Sequence, residues 1–521
     1  MKKAIIISEN NKFVYDNFYN NKDLDILCIF AIYDNYSLIK DKFKNIDVFP
    51  LEDFERCFYK NINLEFKNKI DSITIDLFLQ AEILSYKVLE FYNPGGDKFS
   101  PREMREAYYS GLNFSLNLID YYKPDGIIFT NTPHSLQTII LSKVCEIKKI
   151  KFIFKREITL PGIYLFQDSF QSTDINISQN IAMDDKIKTD TNEVKKLLDI
   201  YIKKVKEKDT KSISKIFSVR RDHFLTKNNL MKVKPFIIGD TFFLIKQYLK
   251  NIPKILLRFL RDIFLYIKNK KEKNYLYSED YYKVKNIPYK DSKTLKVYKQ
   301  LNYLISDFRK LKLLRYYNSI TDKINFEENF IYFPLHYQPE ATTYPFGNQF
   351  IDQTNAIRLL AQCLPENYFI YVKEHPDTFN ISHLSWTIGD FSRDINFYNQ
   401  IKEIDKVKLL PFDIDLEFII KKSKAVATLT GAVGLEFILN RKFALLFGSS
   451  WYDNCEGALK CNTFENCSKA VKKIVNNYSI DENKVKLFFK SSIARLFVYN
   501  QKNTNENISL IKQKLLEKFN V

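Results

Sequence analysis

Residues 427–437 read ATLTGAVGLEF, and two of the chain's 12 glycines, Gly431 and Gly434, fall within that stretch. Apolar sequence flanks the pair: KAVATL leads up to it, and LEFIL followed by KFALLFG leads away. A buried run of strand length, a glycine and then an apolar helical pattern describe a parallel strand turning into a helix. In open parallel sheets, ligands bind beyond the carboxyl ends of the strands. A helix that starts there offers unpaired N–H groups and the positive end of its dipole. Glycine lacks the Cβ that would hold a phosphate away, and Thr428 and Thr430 add hydroxyl donors. Glu436, one turn into the helix, stands where a carboxylate accepts both hydroxyls of a ribose. The spacing is neither GxGxxG nor a P-loop, because no Gly-Lys-Ser/Thr follows. Close packing of helix on strand is the other use of small residues, and this stretch alone leaves both open.

The surrounding sequence repeats the same grammar. FIYFPL (330–335), FIYVK (369–373), VKLL (407–410), AVATL (425–429) and FALLF (443–447) read as strands, with helices at 350–364, 414–422 and from about 432. That is a doubly wound domain over 330–475. Two more of its strands end in polar loops. FIYVKEHPDTF places His375 and Pro376 directly after a strand, where proline stops the strand and the imidazole can donate to a phosphate or carry a proton. PLHYQPEATTYPFGNQ gathers His336, Gln338, Glu340, Thr342 and Thr343 after another.

Residues 1–210 show a second set: strands at 4–8, 26–30, near Val48, 127–130 and 151–155, with helices at 71–92, 101–122 and from Ser135. Alternating strands and helices imply another parallel sheet covered on both faces. Between the two sets, 211–329 is the least regular part. Its segment 237–270 carries a stripe of Ile252, Leu256, Phe259, Leu260, Ile263, Phe264 and Ile267 beside Lys250, Lys254, Arg258, Arg261 and Lys268. Such a helix either packs on the protein or lies on an anionic membrane surface. Helical patterns over 476–521 close the chain.

The bulk numbers agree. A length of 521 residues suggests two or three domains, and 44 Phe with 33 Tyr supply a large core. The net charge of +18 favours an anionic partner. Nucleic acid is not expected, because the basic residues accompany an aliphatic stripe rather than a base-stacking module. Seven scattered cysteines argue against a disulfide scaffold. Cys455, Cys461 and Cys467 have neither a CxxC pair nor a nearby histidine, so no zinc site is expected. No apolar run is long enough for a signal peptide or a membrane span, and the expected location is cytoplasmic, with room for peripheral membrane contact.

FPLHYQPEATTYPFG, VKEHP and TLTGAVGLEFILNRKFALLFGSSWY resemble bacterial capsule and surface-polysaccharide glycosyltransferases. That group includes enzymes using CMP-activated 3-deoxy-octulosonic acid (Kdo) and is similar to the GT-B sialyltransferases. The resemblance implies a GT-B fold, α/β with two Rossmann-like domains facing a cleft, and a nucleotide-sugar donor held by the C-terminal one. It implies that His375, Thr428 and Thr430 bind the donor phosphate, with Gly431 and Gly434 in the same loop, and that Glu436 takes the ribose. A CMP-linked acidic sugar, or another nucleotide sugar, would be moved onto a capsule or lipopolysaccharide glycan, without metal or cofactor. The alternatives are a UDP-sugar transferase or epimerase on the same fold, or a non-catalytic assembly protein docked on the membrane through 237–270. The N-terminal domain would present the acceptor. His134, after the strand ending FTNTPH, is the candidate base, and Glu340 is its rival. Arg156 could hold an acidic acceptor or a donor carboxylate, or be a surface charge.

Overall fold

The computed structural model describes residues 1–19, 22–32, 36–51, 54, 67, 69–92, 101–158, 162–171, 188–206, 309–310, 312–338, 343–379, 393–412, 414, 416–499 and 505–519. The first sheet contains β1 (Lys2–Ser8), β2 (Leu24–Ala31), β3 (Asp47–Pro50), β4 (Gly126–Phe129), β5 (Lys151–Glu157) and β6 (Ile163–Gln167). Its seventh strand, β13 (Phe497–Val498), comes from the far end of the chain, and the order is β13-β6-β5-β4-β1-β2-β3. β1 to β5 pair in parallel, while β6 pairs antiparallel with both β5 and β13. In β1, Ala4 and Ile6 join one apolar cluster while Ile5 and Ile7 join another. Both faces of the strand are therefore buried, as the continuous apolar run AIII requires of a parallel sheet. The helices around it are α1 (Asn11–Phe18), α2 (Tyr36–Lys42), α3 (Ser72–Tyr92), α4 (Pro101–Tyr122), α5 (Leu136–Lys148) and α6 (Lys188–Lys206).

The second sheet follows in chain order as β7 (Asn329–Pro334), α7 (Gln353–Cys363), β8 (Tyr368–Lys373), α8 (Ile395–Lys402), β9 (Val407–Leu409), α9 (Leu416–Lys422), β10 (Ala425–Thr428), α10 (Ala432–Leu439), β11 (Phe443–Leu446) and β12 (Ala458–Lys460). α11 (Phe464–Val475), α12 (Glu482–Ile493) and α13 (Asn505–Phe519) complete the described chain. The strand order is β12-β11-β10-β7-β8-β9, all parallel. Counted within the sheet this is 6-5-4-1-2-3, the order of a dinucleotide-binding sheet.

The two units share apolar contact. Tyr344, Phe346 and Ile351, from the loop after β7, pack into the core of the first sheet. Ile163 and Leu165 of β6, with Val194, Leu198 and Tyr201 of α6, pack into the core of the second. The chain's last elements, expected only as closing helices, return to the first unit. β13 extends its sheet, and α13 is pinned there by Lys512–Asp23 and Lys518–Asp168 ion pairs at 2.6 and 3.1 Å. The expected basic helix at 237–270 lies outside the described residues. Among those described, no helix is long and apolar enough to cross a membrane.

Candidate active site

Strand order in the second sheet reverses between β7 and β10, the place where open α/β sheets leave a crevice beyond the carboxyl ends of their strands. His336 leaves β7 there and the Thr428–Gly431 turn leaves β10. Glu374 and His375 follow on β8, next to β7.

The structure shows what approaches the two glycines: the protein's own side chains. Gly431 has φ −69° and ψ 150°, a conformation open to any residue, so freedom of φ is not its role. A Cβ on Gly431 would sit 2.8 Å from Thr428 Oγ1 and 3.3 Å from His336 Cε1. A Cβ on Gly434 would overlap the Tyr452 hydroxyl, which donates to the Gly431 carbonyl. The glycines thus make room for an imidazole and a phenol that grip the turn. Gly434→Ala should force Tyr452 aside and cost about 1–3 kcal/mol; an unchanged denaturation midpoint would show that Tyr452 is not packed this way.

Thr428 takes a different place from the one expected. It is fully buried, its Oγ1 accepts the Gly431 N–H at 3.2 Å, and the same oxygen lies 2.8 Å from His336 Nε2. Its hydroxyl serves the turn from behind, so a ligand would meet the backbone of the turn. Thr430 contributes its backbone N–H, 3.4 Å from His336 Nε2. With the Thr430 N–H pointing at it, Nε2 acts as acceptor and Thr428 as donor, which places the ring proton on Nδ1. Burial, with His375 and Arg393 nearby, pushes the His336 pKa down to about 3, so the ring is neutral.

α10 starts immediately after this turn. Among the α-helices with described caps, Asn10, Ser135, Asp352, Asp394, Thr463 and Asp481 cap theirs through the side chain, whereas Gly431 makes no such bond for α10. The first-turn N–H groups of a helix have no intrahelical acceptor. At α10 the Gly434 N–H closes on the Gly431 carbonyl at 3.1 Å, while no side chain among the described residues serves Ala432 or Val433, and the dipole adds to the attraction for an anion.

A buried ionic network, invisible in the motifs, joins the three loops. Arg393 donates from Nε to Glu374 Oε2 at 2.8 Å, from Nη1 to Gln338 Oε1 at 2.7 Å and from Nη2 to the His336 carbonyl at 2.8 Å. Glu374 also accepts the Tyr398 hydroxyl at 2.7 Å, the His375 N–H at 2.7 Å and the Thr378 hydroxyl at 3.0 Å. Both charged side chains are 1 % exposed or less. The His-Pro loop, the 336–338 loop and the glycine turn are therefore a single braced assembly. The His375 ring, half-buried, lies 5.8 Å from the Tyr337 ring and close enough to His336 to disfavour its charge.

Glu436 projects from α10 with its carboxyl among the Tyr201, Tyr332 and Tyr452 phenols, and burial raises its pKa to about 7. Folded protein therefore holds a proton that unfolded chain has lost between the ordinary carboxyl value of 4.5 and about 7. This group's contribution to stability falls as pH rises through that window. His336 contributes the opposite slope. Its folded pKa lies below the ordinary 6.5, so its contribution is complete above 6.5 and is lost as pH falls toward 3. Glu436→Gln should raise stability at pH 8 by about 2 kcal/mol and much less at pH 5. Equal gains at both pH values in urea titrations would refute the assignment.

Among the other expected residues, His134 sits at the corresponding edge of the first sheet, just past β4. Its Nδ1 lies 2.8 Å from the Thr132 carbonyl and 3.7 Å from Glu9 Oε1. Glu340 and Thr342 lie outside the described residues. Arg156 is not a surface charge: it is buried and donates to Gln167 Oε1 at 3.0 Å and to the Ser449 carbonyl at 2.7 Å. Since Arg156 lies near the carboxyl end of β5 and Ser449 follows that of β11, the carboxyl edges of the two sheets meet. Cys455, Cys461 and Cys467 are buried free thiols, and no three metal-ligating side chains cluster among the described residues.

Two Rossmann-like sheets with opposed carboxyl edges, and a braced switch-point crevice in the second, define the chain as a GT-B-type α/β protein. Residues 296–467, about a third of the chain, match the family described as capsule polysaccharide biosynthesis protein. That span contains the strand-end loops of His336 and His375 and the glycine turn. No curated protein matches the chain. Similar solved structures include the KpsC beta-Kdo 2,7-transferase of Thermosulfurimonas dismutans, at 16% identity over 30% of this chain and 45% of that one, with a TM-score of 0.19. The match thus takes in less than half the length of that transferase. They also include the UDP-GlcNAc 2-epimerase of Methanocaldococcus jannaschii, at 12% identity over 99% and 100% of the two chains and a TM-score of 0.22. The spinosyn rhamnosyltransferase SpnG is similar at 8% identity, over 99% and 100%, with a TM-score of 0.21.

Proposed function

We propose that this chain is a glycosyltransferase of surface-polysaccharide synthesis. Its donor is a CMP-activated acidic sugar of the Kdo or nonulosonate kind, and its acceptor is a capsule or lipopolysaccharide glycan. The observation behind this reading is the bracing of three strand-end loops around an uncapped helix start at a switch point. In this reading the donor phosphate rests on the first-turn N–H groups of α10, with the His375 imidazole donating from the neighbouring strand end. Glu436 receives the ribose hydroxyls as its proton leaves. Negative charge grows on the phosphate as its bond to the anomeric carbon breaks, and donors fixed in advance need no reorganisation to stabilise it.

The acceptor oxygen bonds to that carbon and gives up its proton. His134 is suited to receive it. With Nδ1 donating to the Thr132 carbonyl, Nε2 is the acceptor, and Glu9 steadies the imidazolium that forms. On this reading the stretch 237–270 brings the enzyme to an anionic membrane, where a glycolipid acceptor resides. Co-sedimentation with anionic vesicles that is abolished by high salt would support this; salt-independent binding would count against it.

Thermal shift against nucleotide monophosphates tests the donor class. CMP at 100 times its Kd should stabilise the protein by about 2.7 kcal/mol, with UMP well behind. A protein indifferent to all nucleotides would refute the proposal, and a preference for UDP would redirect it to UDP-sugars.

A further inference from the structure

The seam between the two carboxyl edges holds a charge that the switch-point crevice does not use. Arg156 comes from the first sheet, is 6% exposed, and has its guanidinium 3.7 Å from the centre of the Phe346 ring. Its partners are neutral: the Gln167 side-chain oxygen and the Ser449 carbonyl. No carboxylate lies within ion-pair reach of it among the described residues. The nearest anion that acts on it is Asp453, which itself faces Lys460 at 3.4 Å. Burial without a counter-charge is costly enough to push the Arg156 pKa down to about 10. A guanidinium carries five N–H donors in a fixed fork, and two bonds leave three unused.

Beside it, the loop after β11 presents two more idle groups. Ser449 Oγ and Ser450 Oγ are buried and have no hydrogen-bond partner among the described residues. Ser450 lies close enough to the Tyr452 phenol to act on it as a donor, without a bond of ordinary geometry, while the Tyr452 hydroxyl itself is committed to the Gly431 carbonyl. Through Tyr452 this loop touches the start of α10. A planar cation and the Ser449 hydroxyl therefore stand in one seam, with Ser450 next in the chain and the start of α10 adjacent. Buried polar groups are nearly always satisfied by protein, water or ligand. A fork of N–H donors flanked by hydroxyls is matched by a carboxylate, which accepts two parallel bonds from arginine and more from its remaining lone pairs.

We infer that Arg156, Ser449 and Ser450 form a second anion subsite, which holds the carboxylate of the transferred acidic sugar while the helix start holds the phosphate. The inference rests on the nucleotide reading of the glycine turn and adds the part of the donor that distinguishes it from a neutral sugar. It also gives the domain seam a part in specificity: the arginine comes from one sheet and the hydroxyls from the other, so the acidic donor is gripped by both.

Calorimetric titration of the full chain with CMP, with CMP-N-acetylneuraminic acid and with UDP-N-acetylglucosamine tests it. Wild type should bind the acidic sugar nucleotide at least tenfold more tightly than CMP. Arg156→Lys, which keeps the charge and loses the fork, should erase most of that margin while leaving CMP affinity within about twofold. The double variant S449A/S450A, far less intrusive to folding, should shrink the margin severalfold. If both variants lower the melting temperature yet leave the ratio of the two affinities unchanged, Arg156 is a strut between domains and the inference fails. A wild type that binds CMP but gains nothing from the acidic sugar also overturns it, with the nucleotide site intact. If UDP-N-acetylglucosamine shows the margin instead, the seam takes a second phosphate and the carboxylate assignment is wrong. A wild type that binds none of the three overturns both readings together.

Discussion

His375→Ala is expected to lower sugar transfer by about 10²–10³-fold, the usual loss when one preorganised donor to a developing oxyanion is removed. The loss should fall mainly on kcat, because the phosphate gains its extra charge only as the donor bond breaks. CMP binding should weaken more modestly, since the first-turn N–H groups of α10 remain. Stability should change little: the ring is half-buried, and the bond that fixes this loop, from the His375 N–H to Glu374, belongs to the backbone. Assays of transfer and melting on the same preparation separate these effects. Wild-type transfer by the variant would remove His375 from the mechanism.

The second large effect is structural. Arg393→Ala leaves Glu374 as a buried carboxylate without its counter-ion and removes the tie from Gln338 and the His336 carbonyl. Breaking a buried ion pair from one side costs about 3–5 kcal/mol. Arg393→Lys should recover only part of this, because an ammonium cannot reproduce three bonds at fixed angles. Nucleotide binding should fall with stability in both variants, because the same network sets the positions of the His-Pro loop and the glycine turn. A melting curve shifted by less than that of an ordinary surface substitution would mean that the loops stand without the brace.

Much of the fold was legible in sequence because parallel strands buried on both faces leave continuous apolar runs. FIYVK, AVATL and FALLF each became a strand within a residue or two of the expected limits. β6, β12 and β13 were not anticipated. IYLFQ is too short for its period to separate strand from helix, and the two residues of β13 pair with β6 only because the chain's end comes back. At the candidate site, the strand-end position of His375 and the glycine turn could be read, because proline and glycine interrupt apolar runs there. The purpose of the glycines could not. Which atoms fill the space left by a missing Cβ depends on His336 and Tyr452, distant in sequence and adjacent only in the fold. The same holds for Thr428, whose hydroxyl faces inward to His336, and for Arg393, which sits in a loop with no motif around it. Burial itself, which turns Glu436 into a group that titrates near 7, leaves no mark on a hydrophilic letter.

A structure of the protein crystallised with CMP examines the glycine turn most directly. The phosphate should lie against the N–H groups at the start of α10, with the His375 imidazole in contact and the ribose at Glu436. A nucleotide seated at the carboxyl edge of the first sheet, or bound with its phosphate away from both His375 and Gly431, would contradict that placement.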